Sequence, residues 1–241
     1  MAKISIIDCE TASMKGNVCE MGISKFISTP SGKLELQDCY ADLVNPRQKI
    51  DYEAMNVHHI TEYMLKGKPF IEEILLPKYS LEQSDYVVAH NIVYEEAVLP
   101  EEYFPQDIKR LCTLKLARKL YPKGVVDSHK LGVLFYTFGL DRDERVQTFE
   151  GKFHAALFDT LITGLVLEYM LVDKGITIEE AYQLVQPKVN DITVCNFKKF
   201  DGQKWETLIQ QETSYVQWLL ANIEWKDLKE KEYVDSLLNG R

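Results

Sequence analysis

Two acidic residues at the end of an apolar segment are the first candidates for chemistry. Residues 3–11 read Lys-Ile-Ser-Ile-Ile-Asp-Cys-Glu-Thr, and the alternation of β-branched and small polar residues predicts a β-strand. Asp8 and Glu10 would share one strand face, roughly 7 Å apart. Burying two carboxylates is costly unless a cation neutralises them, and Mg²⁺ and Mn²⁺ prefer carboxylate oxygen. Asp8 and Glu10 therefore predict a divalent-metal site. The alternative is a strand that ends in two solvated acids.

Two later segments hold further candidates. His90 and Asn91 follow a short apolar run, with Glu95 close behind, and His154 precedes Asp159 by five residues. On one continuous helix, residues five apart differ by about 140° in direction. His154 and Asp159 reach a common site if His154 lies in a loop and Asp159 in the first turns of a helix, where the dipole favours an acid. Taken alone, His154 is better interpreted as a helix-entry residue without chemistry.

The elements that must position these residues follow from periodicity and turn signals. Strands are predicted at 3–11, 18–28, 34–44, 86–89 and 108–112. Helices are predicted at 93–99, between a cap at Thr113 and a stop at Pro122, at 128–138, from the segment 154–159 to about Leu171, and at 178–185. Short turns between the first three strands favour antiparallel pairing. Strands followed by alternating strands and helices predict an α/β fold with a mixed five-stranded sheet flanked by helices.

Two features of this middle region stay open on sequence alone. Glu20, in the second strand, points either toward the other acids or toward solvent. Basic residues gather between positions 109 and 130, including Lys115 and Arg118. This concentration fits either the solvated faces of two helices or a patch that guides phosphate.

The overall composition limits the class of protein. The 241 residues include 37 Asp and Glu against 28 Lys and Arg, a net charge of −9. This balance excludes a strongly basic protein that coats nucleic acid, although it is compatible with a nucleic-acid enzyme. Five scattered cysteines without a C-x-x-C pair indicate reduced thiols. Without a long apolar run or a signal-peptide pattern, we expect a cytoplasmic protein that does not enter membranes.

The sequence predicts two domains. The main domain is expected at 1–185, a linker at 186–191, and a small C-terminal accessory domain at 192–241. All three tryptophans (Trp205, Trp218 and Trp225) lie in the small domain. We interpret them as a miniature core, because so short a unit has few other ways to bury apolar area. Base-stacking platforms are the alternative.

Three segments in order resemble the motifs of a known family. Residues 6–11, 88–95 and 154–159 resemble the three motifs of the DEDDh 3′–5′ exonucleases, which have a ribonuclease H-like fold and include the epsilon proofreading subunit of polymerase III. Residues 56–61, 86–91 and 112–122 resemble the exodeoxyribonuclease X-type branch, over roughly residues 1–180. The tail resembles a small C-terminal module of some of these nucleases, although its lysine–glycine loop is degenerate here.

The resemblance implies an activity and a role for each residue. It implies hydrolysis of phosphodiester bonds at 3′ ends, with release of nucleoside 5′-monophosphates. Two Mg²⁺ or Mn²⁺ ions would be held by Asp8, Glu10 and Asp159, with Glu95 binding directly or through water. His154 would be the general base, since imidazole groups in general titrate near neutrality. The implied substrate-binding residues are Thr11, Met14, His58, His90, Asn91, Lys115 and Arg118.

One departure from the family pattern leaves alternatives open. The second motif normally carries Asp where this chain has Glu95, so we expect altered metal preference or rate, with Glu96 as the fallback ligand. DNA with single-stranded or frayed 3′ ends is the expected substrate. RNA is the alternative, because sequence cannot place contacts to a 2′-hydroxyl. A catalytically weakened nucleic-acid-binding module and a non-nuclease hydrolase are further alternatives, and the partner of the C-terminal domain is left open.

Overall fold

The structure is a computed structural model that describes residues 1–122, 124–149, 151–186, 192–195, 197, 200, 203–225 and 227–239. The chain divides into two compact units, Met1–Gln186 and Pro187–Arg241. Apart from Gln186, the predicted linker at 186–191 lies outside the described residues, as do Lys198, Lys199, Asp201 and Gly202 of the lysine–glycine loop. No helix in the described ranges is long and apolar enough to cross a bilayer.

The first unit is built on a mixed sheet. Its strands are β1 Lys3–Thr11, β2 Val18–Ser28, β3 Leu34–Leu43, β4 Tyr86–Ala89 and β5 Lys109–Cys112. They lie in the order β3-β2-β1-β4-β5. The hairpin-linked strands β1, β2 and β3 pair antiparallel, whereas β4 pairs parallel to β1 and β5 parallel to β4. The predicted α/β fold with a mixed five-stranded sheet is confirmed.

Helices cover both faces of this sheet. They are α1 Tyr52–His58, α2 Glu62–Leu65, α3 Ile71–Tyr79, α4 Val93–Val98, α5 Thr113–Leu120, α6 Leu131–Thr137, α7 Glu144–Gln147, α8 Ala156–Lys174 and α9 Ile178–Val185. Ile4 and Ile6 of β1 pack in one core cluster with buried residues of α8, whereas Ile7 and Cys9 belong to a second cluster on the opposite face. Because side chains alternate along a strand, Asp8 and Glu10 continue the face that α8 covers.

The second unit has its own core. Its described helices are α10 Trp205–Gln211, α11 Thr213–Asn222 and α12 Leu228–Asn239. Trp205 is fully buried and donates its indole N–H to Glu230 Oε1 at 3.0 Å. Trp225 is also buried in this cluster, whereas the Trp218 side chain is 51% exposed. The prediction of a tryptophan core is therefore right for two of the three and wrong for Trp218.

Candidate active site

The end of β1 sets the position of the first two acids. Asp8 pairs with Gly22 and Glu10 with Glu20 across the β1–β2 ladder. Because β4 runs parallel to β1, the chain leaves β4 at the same edge and enters α4 there. Glu95 in the first turn of α4 is buried beside the end of β1. Two strands and one short helix thus bring acids to one edge of the sheet.

His154 and Asp159 reach this edge from the start of α8. His154 precedes the helix, is exposed, and has a left-handed backbone with φ 63°. Its backbone N–H donates to Asp159 Oδ2 at 3.1 Å. The potential ligand atoms of Glu10, His154 and Asp159 all lie within 4.8 Å of one another. The structure therefore places His154 in a loop and Asp159 in the first turn of the helix.

The acids strongly perturb one another. Burial first, and then Asp159 and Glu95, raise the pKa of Asp8 well above its usual range. Burial and the neighbouring Asp159 raise the pKa of Glu10 to about 8. Burial also raises the pKa of Glu95 to about 8 and that of Asp159 to about 7. The raised pKa values follow from burying several acids together, because no positive charge within this group of acids offsets their negative charges.

Unpartnered oxygen atoms show that these residues fit a divalent cation. Among the described residues, Glu95 Oε2 and Asp159 Oδ1 are buried side-chain oxygens without a hydrogen-bond partner. Buried acceptors in proteins are normally satisfied, and hard cations take carboxylate oxygens as ligands. Asp8, Glu10, Glu95 and Asp159, here called the carboxylate cluster, supply such oxygens from three separate elements.

The turn that follows β1 carries two of the predicted substrate-binding residues. Thr11 is buried, and its hydroxyl lies 2.7 Å from Ser13 O and 2.5 Å from the hydroxyl of Tyr94. Met14, by contrast, is 86% exposed. Thr11 therefore fastens the turn to α4, while Met14 projects from it. Sequence reasoning missed Tyr94, because its type and its place beside Glu95 carry no signal that its hydroxyl reaches Thr11.

His58 and His90, both predicted to contact substrate, have their ring nitrogens engaged within the protein, and the predicted contact stays a prediction. His58 is buried; its Nδ1 accepts from the Ile60 N–H at 2.9 Å and its Nε2 lies 3.3 Å from Thr11 O. His90 lies 2.9 Å from the Thr113 hydroxyl through Nδ1 and 2.9 Å from His129 O through Nε2. Burial lowers the pKa of both rings, that of His90 to about 4. With both ring nitrogens engaged by the protein, these histidines support the loops around the site from within.

The remaining predicted binding residues face solvent. Asn91 is exposed with φ 83°, a conformation that asparagine tolerates better than most residues. Lys115 and Arg118 are exposed on α5. Lys109 and Arg110, in the same basic segment, pair instead with Glu179 and Glu96. The basic segment therefore divides into cations that hold the fold together and cations available to an external anion.

Comparison with known proteins decides the family. Residues 5–167, about two thirds of the chain, match the sequence model described as Exonuclease. This chain belongs to the exonuclease family. It is therefore a nuclease that hydrolyses phosphodiester bonds, and exonucleases of this family typically depend on a divalent metal.

Individual relatives agree with this assignment. The chain is 31% identical over 225 residues to exodeoxyribonuclease 10 of Escherichia coli strain K12, covering 92% of each protein. It is 24% identical over 191 residues to the DNA polymerase III epsilon subunit of Buchnera aphidicola subsp. Schizaphis graminum, covering 72% of this chain and 75% of that one. A solved structure of exonuclease X in complex with 5′ overhanging duplex DNA superposes with a TM-score of 0.62 at 32% identity, covering 76% of this chain and 99% of that one.

The match to exodeoxyribonuclease 10 is longer than the first unit. The first unit ends at Gln186, whereas the match to exodeoxyribonuclease 10 covers 92% of the 241 residues. The similarity therefore extends into the C-terminal unit.

Proposed function

We propose that this exonuclease is a 3′–5′ exodeoxyribonuclease that releases nucleoside 5′-monophosphates from DNA 3′ ends. The observation that carries the proposal is the meeting of the carboxylate cluster and His154 at one edge of the sheet. Similarity along 92% of the chain to a protein named an exodeoxyribonuclease supports DNA as the substrate. Similarity to a nuclease solved with duplex DNA supports it further.

We propose that the cluster holds two Mg²⁺ or Mn²⁺ ions. Asp8, Glu10 and Asp159 are the proposed direct ligands, and Glu95 is proposed to bind directly or through water. The unpartnered oxygens of Glu95 and Asp159 support a cation at this place. When bound, such a metal pair activates water and stabilises the charge that develops on the phosphate and on the leaving 3′-oxygen. Burial of Glu95 within the cluster supports a working role for this longer carboxylate, against a site that has lost its function.

His154 is the proposed general base that removes a proton from the attacking water. Its exposure leaves the ring accessible to a water at a bound 3′ end. The hydrogen bond from its backbone N–H to Asp159 keeps the residue beside the proposed ligands. A general base must lie within hydrogen-bond reach of the proton it removes, and the position of His154 beside the proposed ligands supports this role.

The exposed residues around the cluster are the proposed substrate contacts. Met14 packs its apolar side chain against the terminal base, while buried Thr11 holds the turn that presents it. Asn91, Lys115 and Arg118 bind along the nucleic-acid backbone. We further propose that the protein acts in the cytoplasm, and the absence of disulfide bonds at Cys9, Cys19, Cys39 and Cys112 supports a reducing compartment.

A gel time course tests the proposal. The substrates are 5′-labelled single-stranded DNA, RNA of matching sequence, and duplex DNA, each with Mg²⁺, Mn²⁺ or EDTA. We expect a one-nucleotide ladder from the 3′ end of DNA that disappears with EDTA and in Asp8→Ala. Asp107→Ala, which changes an exposed acid outside the cluster, is the matched control and keeps the ladder. A ladder on RNA alone makes the protein an exoribonuclease, and DNA binding without cleavage under either metal makes it a binding module.

A further inference from the structure

Strand β2 contacts the first turns of α8 through alternate residues. Glu20, Gly22 and Ser24 share one face of the strand, because strand side chains alternate. Glu20 Oε2 accepts a hydrogen bond from the Ala156 N–H at 2.8 Å. The hydroxyl oxygens of Ser24 and Thr160 lie 2.7 Å apart. The strand thus follows the helix from its first residue onward.

Gly22 is required for this close approach. A Cβ at position 22 would lie 2.6 Å from the Ala156 carbonyl carbon, 2.7 Å from its oxygen and 2.8 Å from the Leu157 nitrogen. These are backbone atoms, which cannot move aside as the end of a side chain can. Any side chain at this position would therefore displace the start of α8.

The contact of Glu20 has a separate physical reason. The Ala156 N–H belongs to the first residue of α8, and the first N–H groups of a helix have no partner within it. A carboxylate at this end also interacts favourably with the helix dipole. Glu20 thereby fixes the helix start from the same strand that pairs with Asp8 and Glu10.

The position of the helix start decides the geometry of the proposed metal site. Asp159 lies in this first turn, and its carboxylate holds the backbone of His154. We propose that Glu20 and Gly22 are positioning residues that set Asp159 and His154 at the correct distance from Asp8 and Glu10. This inference rests on the proposed function, and it resolves the orientation of Glu20 that the sequence left open.

Two substitutions at one position separate positioning from metal ligation. Glu20→Gln keeps an oxygen that accepts from the Ala156 N–H but removes the charge, whereas Glu20→Ala removes both. Loss of a group that orients a ligand typically weakens metal binding by about 10–100-fold. We expect that loss in Glu20→Ala and a change below about threefold in Glu20→Gln, measured as Mn²⁺ binding by electron paramagnetic resonance. Equal losses in the two variants would make Glu20 a ligand, and no loss in either would remove its role; both results overturn the inference.

Two glycines on the same interface provide the second test. A Cβ at Gly164 would lie 2.6 Å from Phe26 Cζ, so Gly164→Ala crowds the same helix–sheet contact farther along α8. We expect both Gly22→Ala and Gly164→Ala to lower the melting temperature, but only Gly22→Ala to weaken Mn²⁺ binding about tenfold or more. Equal Mn²⁺ affinities at similar stability would overturn the role of Gly22. If Gly22→Ala does not fold, the Glu20 pair still decides, because neither substitution needs extra room.

These measurements are independent of the proposed activity. Mn²⁺ binding and thermal unfolding need no nucleic acid. A wild-type protein that binds Mn²⁺ but leaves DNA intact would overturn the exodeoxyribonuclease proposal, while the positioning inference would still be judged by the variants. Where DNA is cut, Glu20→Ala should lower kcat more than it raises KM, because it misplaces the reacting groups without touching the exposed binding residues.

Discussion

Helix α8 contributes an acid to each of two clusters, and the two are balanced in opposite ways. Asp159, in the first turn, joins the carboxylate cluster, in which burial and neighbouring acids raise the pKa values. Glu168, farther along, accepts from Arg145 Nη2 at 2.6 Å and from the Leu34 N–H at 2.5 Å. Arg145 also bonds Asp143 and holds the pKa of that carboxyl below its usual range.

The contrast concerns the source of the positive charge. Between α7, α8 and β3, the chain supplies its own positive charge. The guanidinium of Arg145 donates to Asp143, to Glu168 and to the Leu34 carbonyl oxygen. At the end of β1, two buried oxygens have no donor among the described residues. A buried charge is tolerated only when it is paired, protonated or bound to a metal. The difference indicates that the cluster around Arg145 serves stability, and it supports an external cation at the carboxylate cluster.

The largest expected effect comes from removing one negative charge from the carboxylate cluster. Asp159→Asn keeps an oxygen that accepts from the His154 N–H but weakens the proposed metal site. Because metal binding supplies several kcal/mol of transition-state stabilisation, we expect DNA cleavage to slow by at least about 1000-fold. The melting temperature in EDTA should stay the same or rise, since like charges repel. Cleavage within tenfold of wild type, with Asp107→Asn as control, would contradict the contrast.

The second effect is the pH dependence of the metal-free protein. The pKa of Glu10 rises to about 8 from an ordinary 4.5, and that of Asp159 to about 7 from 3.8. Folding therefore favours the protonated acids, so their contribution is complete below about pH 4 and is lost as the pH rises through 7 to 8. We expect the melting temperature in EDTA to fall by about 5 °C or more between pH 5 and pH 8. Excess Mg²⁺ should largely abolish this fall in melting temperature. A melting temperature in EDTA that does not change with pH would contradict the raised pKa values of the carboxylate cluster.

The third effect concerns the cluster of Asp143, Arg145 and Glu168, and it comes from removing the Arg145 guanidinium. Arg145→Met keeps much of the apolar stem but removes the guanidinium that Asp143 and Glu168 share, leaving them only the backbone N–H donors of residue 145 and Leu34. The Glu168 side chain is 15% exposed and Arg145 is 35% exposed, so we expect a loss of about 1–2 kcal/mol in the free energy of unfolding. Urea unfolding measures it, with exposed Arg142→Met as the matched control. Mn²⁺ affinity should not change; a parallel loss would mean that the clusters are not separate.

The smallest effect concerns the side-chain length of Glu95 in the carboxylate cluster. Glu95→Asp withdraws the buried oxygens by one methylene while keeping the charge. We expect cleavage rate and Mn²⁺ affinity to change by less than about tenfold, or about 1.4 kcal/mol. Glu95→Gln, which removes the charge at the same length, is the control and should have the larger effect. The reverse order would show that reach, rather than charge, is what this position contributes.

Sequence patterns located the features that depend on local geometry. Strand alternation placed Asp8 and Glu10 on one face, and the five-residue spacing indicated that His154 and Asp159 could share a site only if His154 lay in a loop before the helix. The bounds of β2 and β4 agree with the predicted ones, and β3 ends one residue earlier, at Leu43. These successes share a cause, since alternation and helix entry are decided by nearby residues. The chemical roles assigned to the site residues stay predictions.

The sequence did not reveal the surroundings of side chains whose partners are distant in sequence. His90 bonds the carbonyl of His129, 39 residues away, and His58 bonds that of Thr11, 47 residues away. A histidine next to a motif has the same type whether it faces substrate or the interior, so only tertiary packing distinguishes the two. Glu20 was undecided for the same reason, because its acceptor role depends on Ala156, 136 residues later.

The length of α8 between Asp159 and Glu168 has a consequence for how the protein can change. Nine residues of helix separate the two acids by about 14 Å. Substitutions more than about 7–10 Å apart without shared partners usually have additive effects on stability. The unfolding free energies of Asp159→Asn and Arg145→Met should therefore sum in the double variant. Mutation can tune thermal tolerance at one end of this helix while catalysis evolves separately at the other.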